Sequence, residues 1–458
     1  MSQEEVTIIF DIGKTNKKLF IYDEKLNEIF HHQENFDEVE DDDGYLGDDL
    51  NALSEWMKSS VRQIIENGKY QVKKINISAY GASMVHLDES GQIASPFYNY
   101  TKPLPDEFYD RFFKLVGDSD QFSVETASPM LGMLNSGFQL FYLKHYKPEI
   151  AKKVSVSLHF PQFLSYLFTG KMVSESTSIG CHTALWDFAT MQYHSWVRNG
   201  GYESQLAPIV PTNQTYTIDL FGRQVEVGVG IHDSSSALIP YLISIKEPFN
   251  LLSTGTWSVS MNPYNNAPLT KDEFKRDCLN FISYAGKPVK ASRLFMGEEL
   301  KHQVMKISEY FNCDYERYLS IKVDPQFVDK RKTKKQLLFN YGFLKPHLFG
   351  YQLNESENLS IFQSFEEAYL QLIDELTDLQ VMSLQLTIAN SGVKCMYVDG
   401  GFASNEPFIQ RLANKLPELK IFTNSSASGS AMGAALLAND QHEDQFTLKN
   451  CVRHLPFL

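Results

Sequence analysis

One local device occurs twice in this chain and constrains its fold more than any other feature. An apolar strand runs into a glycine-bearing polar turn and returns as a second strand, once near residue 10 and again near residue 255. The first copy reads Ile8-Ile9-Phe10-Asp11-Ile12-Gly13-Lys14-Thr15-Asn16-Lys17-Lys18-Leu19-Phe20, and the second spans residues 251–260 with Gly255 at its turn. Two such hairpins in one chain point to two similar halves. Just ahead of the second copy lies Gly230-Ile231-His232-Asp233-Ser234-Ser235-Ser236, a carboxylate approached through glycine and followed by small polar residues. That places Asp233 near the seam between the halves.

The tips carry anion-binding chemistry. Gly13 lets backbone amides approach an anion closely, Thr15 and Asn16 can donate hydrogen bonds, and Lys14 and Lys17 add charge. Asp11 is positioned to hold a cation directly or through water. The first tip is not a Walker P-loop, because no GK[ST] follows at the required spacing and no helix follows directly.

Composition narrows the function classes. A chain of 458 residues that is 43% apolar and 13% aromatic can bury sizeable cores, as two or three domains. Its net charge of −14 argues against nucleic acid as a partner. An acidic protein that binds phosphates must use backbone amides, helix ends, a metal ion or a few placed cations rather than its overall field. No apolar run approaches the roughly 20 residues of a membrane helix. The acidic, strand-like N-terminus is unlike a signal peptide. Five scattered cysteines without a CxxC read as reduced thiols, and the expected location is the cytoplasm.

Along the chain, Leu50 to Glu66 has the apolar spacing of an amphipathic helix, with Leu53, Trp56, Met57, Val61, Ile64 and Ile65 on one face. The acidic run 37–43 and the basic run 330–335 read as solvated loops. Strand 75–79 ends in Tyr80-Gly81-Ala82-Ser83, a small-residue loop of the kind that binds ligands in α/β sheets. Residues 128–136, which include Asn135, form another candidate ligand-facing turn. Segments 271–280 and 297–311 read as helices. Ser364-Phe365-Glu366-Glu367 starts a long helix reaching about Ile388. Near the end, strand 394–399 leads into Gly400-Gly401-Phe402-Ala403-Ser404-Asn405 and a helix over 407–416. This βαβα unit with glycines at its first junction is the usual geometry for holding a nucleotide.

These motifs together resemble the FGGY carbohydrate kinases. DIGKTNKK (11–18) is similar to the family's first phosphate loop, GIHDSSSAL (230–238) to the segment bearing its catalytic aspartate, and STGTWS (253–258) to its second phosphate loop. DGGFASN (399–405) resembles its adenosine loop, and SGSAMGAALLA (428–438) its final small-residue helix. The GTWS form is closer to rhamnulose and fuculose kinases than to glycerol or xylulose kinases, and LFTGKMVSESTS resembles a rhamnulokinase stretch. Ser83, Gln162, Lys14 and the region 285–300 depart from the rhamnulokinase pattern.

The resemblance implies an α/β fold of two actin-like (ribonuclease-H-like) domains, 1–246 and 247–458, with ATP and sugar in a cleft between them. It implies that Asp233 acts as general base. ATP is then expected at Gly13, Lys14, Thr15, Asn16, Lys17, Gly255, Thr256, Gly400, Gly401, Ala403 and Asn405. Sugar is expected at Gly81, His232, Asp233 and Asn135, and Mg²⁺ at Asp11 and Asp233. The partners are then a small sugar and ATP, with no nucleic acid or membrane, and the protein a monomer or homodimer. The expected acceptor is a ketose of the L-rhamnulose or L-fuculose type, with a D-xylulose or L-ribulose-type pentulose as the alternative. An actin-like ATPase and a catalytically silent sugar-binding protein stay open as readings of another class.

Overall fold

The computed structural model describes residues 3–81, 83–354, 356–424, 429–439, 446–448 and 451–456. The chain is mixed α/β and divides into two compact units. One comprises Met1–Ser244, Asn280–Pro288 and Ser428–Thr447, the other Ile245–Leu279, Val289–Ala427 and Leu448–Leu458.

The first unit is built on a seven-stranded sheet. Strands β1 (Glu4–Ile12), β2 (Lys17–Asp23) and β3 (Glu28–Glu34) form a meander, followed by the small hairpin β4 (Glu38–Glu40) and β5 (Leu46–Asp48). β6 (Tyr70–Ala79), β7 (Thr215–Leu220), β8 (Arg223–Gly228) and β9 (Ile231–His232) complete it. The order is β7-β8-β6-β1-β2-β3, with β9 also paired to β6. β1 is central, parallel to β6 and antiparallel to β2. A strand covered on both faces needs a continuous apolar run, and residues 6–10 are all buried. Helix α1 (Leu50–Glu66) has its expected bounds, capped by Asp49, which accepts from the Asn51 and Ala52 amides. Leu53, Met57, Val61 and Ile65 are buried, with Trp56 and Ile64 packed partly against the same core. Helices α2 (Phe108–Val116) and α3 (Gly137–Tyr146) join a separate aromatic core around Phe108, Phe112, Phe138 and Phe141. Helices α4 (Phe160–Thr169) and α5 (Asp233–Ser244) follow.

The second unit repeats the plan. Its sheet consists of β10 (Phe249–Thr254), β11 (Ser258–Asn262), β12 (Cys278–Ile282), β13 (Pro288–Leu294), β14 (Cys395–Gly400), β15 (Lys420–Asn424) and β16 (Cys451–His454). They are ordered β12-β13-β11-β10-β14-β15-β16. Again a hairpin, β10–β11, lies beside a parallel partner, β14. Helices α6 (Met296–Phe311), α7 (Phe365–Ile388) and α8 (Glu406–Lys415) pack with this sheet. The last helix, α9 (Gly429–Ala438), belongs with the first unit. It lies against α5 so closely that a Cβ on Gly433 would stand 1.9 Å from the Ser236 carbonyl oxygen. Asn76 Nδ2 of β6 also donates to the Ala434 carbonyl, at 3.0 Å. Ser428, the expected start of this segment, and Ala82 lie outside the described residues.

Three expectations are corrected. Segment 271–280 is helical only over Lys271–Lys275; Asp277 takes φ 59°, and Cys278–Ile282 is a fully buried strand. Burial in the sheet outweighs local helix preference there. The acidic run is no solvated loop. The Lys102 ammonium, 3% exposed, meets Asp41 at 2.7 Å and Asp43 at 2.6 Å, while Lys147 pairs with Asp42 and Asp43. Tyr142 donates to Asp43 as well. The basic run likewise turns inward at one residue. The Arg331 guanidinium is fully buried against Asp329, Asp374 and Asp378. In both runs long-range partners convert local charge into interior ion pairs.

Candidate active site

The first hairpin is closed by Gly13 N–H donating to the Asn16 carbonyl at 2.9 Å, with Asp11 opposite Lys18 and Ile12 opposite Lys17. Thr15 and Asn16 are exposed at the tip. The two expected phosphate lysines face differently. Lys14, 24% exposed, pairs with Glu38 at 2.8 Å and Asp48 at 3.1 Å. Lys17, 6% exposed, pairs with Asp48 at 2.7 Å and donates to the Lys14 carbonyl. Lys17 is thus held between Asp48 and the Lys14 carbonyl. Strand alternation turns the next residue, Lys18, to the Asp11 side, where its charge favours the Asp11 carboxylate. That alternation is readable in the sequence.

Asp11 keeps some accessible surface, but dense protein around its carboxyl pushes its pKa up to about 6; Ser430 donates to it at 2.9 Å, and the Asp233 charge raises it further. Asp11 and Asp233 therefore feel each other electrostatically. A divalent cation fits such a pair, since it relieves their repulsion and replaces the water that burial removes.

Asp233 opens α5 directly after β9. Its contacts among the described residues all fall on Oδ1: His232 Nε2 at 3.2 Å, the Ser234 amide at 2.5 Å and the Ser234 hydroxyl at 3.2 Å. A helix cap would accept from amides two or three residues on. Burial lowers the His232 pKa, with Asp233 and Glu175 opposing it. A neutral imidazole with its proton on Nε2 donates to Asp233, while Nδ1 lies 3.4 Å from the Ser235 hydroxyl, which itself donates to the Ile282 carbonyl at 2.9 Å. Gly81 lies flat against this ring: a Cβ there would be 2.9 Å from His232 Cδ2 and 2.6 Å from Cys181 Sγ. The structure thus brings Gly81, His232, Asp233 and Asp11 together.

Two supporting residues escaped sequence reasoning. Buried Glu175 accepts from the Thr177 amide and hydroxyl, the Ser178 amide and the Thr212 hydroxyl. Thr177 Oγ1 in turn accepts from the His232 amide at 3.1 Å, fixing the turn before Asp233. Asn135 is buried, accepting from Leu131 N–H and donating to the His182 carbonyl. Its amide joins the two loops at 131–135 and 182.

In the second unit the tip is closed by Gly255 N–H donating to the Trp257 carbonyl at 2.8 Å, leaving Gly255 and Thr256 exposed. The start of α6 braces it: Gly297 N–H donates to the Thr256 carbonyl, and a Cβ on Gly297 would stand 2.0 Å from the Gly255 oxygen. Gly400 lies beside the same strand end with φ +78°, and a Cβ would stand 1.7 Å from the Thr254 oxygen, so only glycine fits. Gly401 is exposed with open space around it, and Ala403 is half-buried. Asn405 is engaged internally, capping α8 through Phe408 N–H and donating to Tyr369. Tip, Gly400 and Gly401 form one glycine-lined edge at the ends of β10 and β14.

Comparison with known proteins fits this layout. Residues 6–239 match the N-terminal domain of the FGGY family of carbohydrate kinases, and residues 246–310 match the carbohydrate kinase FGGY C-terminal domain. A rhamnulokinase of Oceanobacillus iheyensis is 22% identical, over 98% of this chain and 97% of its own. A carbohydrate kinase from Novosphingobium aromaticivorans shares the fold with a TM-score of 0.79 at 21% identity, over 99% of this chain and 95% of its own. A ligand-bound xylulose kinase from Lactobacillus acidophilus does so with a TM-score of 0.77 at 14% identity, over 99% and 94%. Among the described residues no helix is long and apolar enough to cross a membrane.

Proposed function

This chain belongs to the FGGY family of carbohydrate kinases and is an ATP-dependent sugar kinase, and from that premise we propose that Asp233 is its general base and an L-rhamnulose- or L-fuculose-type ketose its acceptor. The observation that carries the assignment is the Asp233 carboxylate itself. Its Oδ1 is engaged by His232 and Ser234, which leaves Oδ2 to take a proton from a sugar hydroxyl as that oxygen attacks the γ-phosphorus. Neutral His232 orients the carboxylate without quenching its charge. Gly81, having no Cβ, lets the strand end pack directly against this ring.

In this reading the tips at 13–16 and 255–256 bind the nucleotide through the groups left over once the Gly13 and Gly255 amides have closed them, above all at exposed Thr15, Asn16 and Thr256, together with Gly400, Gly401 and Ala403, and Lys18 supplies the cation that Lys17 does not. Asp11 and Asp233 would hold Mg²⁺, which when bound neutralises phosphate charge. Because a metal ligand must be deprotonated, apparent Mg²⁺ affinity measured by calorimetry is expected to rise between about pH 5 and pH 7 as Asp11 ionises. Asp11→Asn should abolish that rise, and a retained rise would remove Asp11 from the metal site.

The ketose assignment draws on the GTWS tip and on the rhamnulokinase relative that spans nearly the whole chain. An ADP-release screen with L-rhamnulose, L-fuculose, D-xylulose, L- and D-ribulose and glycerol tests it. L-Rhamnulose or L-fuculose should give the highest kcat/KM, and a preference for a pentulose would replace the assignment.

A further inference from the structure

The β4–β5 hairpin has no part in the reaction as described so far, yet it reaches the first tip. Its turn is fastened by Lys102, Lys147 and Tyr142 to Asp41–Asp43, and its last residue is Asp48. Asp48 Oδ1 takes Lys17, and Oδ2 takes both Lys14 and the Tyr80 hydroxyl, the latter at 2.7 Å. Lys17 closes the circuit by donating to the Lys14 carbonyl at 2.7 Å. One carboxylate therefore grips both flanks of the tip at 13–16 and the residue just before Gly81.

We propose that Asp48 is a positioning residue for phosphoryl transfer, holding the first tip in its phosphate-receiving shape and in register with the Gly81 strand end. Two lysines at one tip would repel each other and would draw polyphosphate onto their ammonium groups instead of the backbone amides. Asp48, with Glu38 on Lys14, cancels both charges locally. The tip then presents amides and hydroxyls in a fixed frame, with Lys18 as its working cation. The inference rests on the reading that this tip meets ATP.

Four full-length variants test it, each checked by thermal melting. Asp48→Asn is expected to lower kcat about 10- to 100-fold, the cost of a small misplacement of a catalytic frame. Adding Lys14→Met to Asp48→Asn should cost little more, because Lys14 acts through Asp48. Wild-type kcat in folded Asp48→Asn, or losses that multiply in the double variant, would overturn the proposal. Should Asp48→Asn fail to fold, Tyr80→Phe removes one grip without stranding a charge, and is expected to lower kcat several-fold at near-unchanged melting temperature. Unchanged kcat there overturns the proposal too. Thr15→Ala separates the two levels. If it weakens ATP binding while the Asp48 and Tyr80 variants are silent, the positioning role alone is wrong. If all are silent, the tip assignment falls with it.

Discussion

Asp233→Asn is expected to lower kcat by about 10²–10⁴, the contribution of a positioned general base, while ATP affinity stays within roughly threefold. Asparagine keeps the shape of the side chain and an oxygen for the His232 proton and the Ser234 amide, so the turn between β9 and α5 should persist. What it loses is the ability to accept a proton. The residual rate would come from positioning and from charge stabilisation at the two glycine tips, neither of which needs the carboxylate as base. Steady-state kinetics at saturating sugar, with ATP binding by calorimetry and melting as a fold control, make the measurement. Turnover near the wild-type rate would exclude Asp233 as base.

Arg331→Met should be the most destabilising single change of a charged residue. The guanidinium is buried among Asp329, Asp374 and Asp378, and its removal leaves those carboxylates with Lys334, Lys415 and the more distant Arg411 as cations. Breaking a buried charge network on one side costs roughly 3–5 kcal/mol, because the remaining charge stays desolvated. For a unit of this size the melting temperature should fall on the order of 10 °C. Sugar and ATP KM should hold in the folded fraction, since no candidate site residue touches the cluster. A fall of under about 2 °C would show that Lys415 and solvent already neutralise the aspartates.

Local pattern carried much of the fold. The two hairpins, α1, α7 and the β14–α8–β15 unit are legible because alternation, helical spacing and capping are all short-range signals. α7 begins as expected, with Ser364 accepting from Glu367 N–H. The misread elements share a cause. Cys278–Ile282 is a strand because a sheet buries it, and Arg331 is interior because Asp374 and Asp378 lie on α7. Long-range partners leave no trace in local composition. The grouping of Asp233, His232 and Gly81 was legible from motif and glycine. Glu175 and Thr177, which hold the turn through a chain of hydrogen bonds, were not.

The placement of α9 bears on how the protein is made. This helix is translated after residues 245–279 and 289–427 of the second unit, yet it belongs with the first unit, where Gly433 fits against Ser236 and Asn76 bonds the Ala434 carbonyl. On the ribosome the first unit must therefore wait, incompletely covered along α5 and β6, while those residues of the second unit emerge. A fragment ending near residue 246 would expose that same apolar and small-residue surface. Splitting the gene at the boundary between the units should thus yield an N-terminal half that depends on chaperones or aggregates, while fusing residues 429–439 back onto it by a short linker should restore a soluble fold.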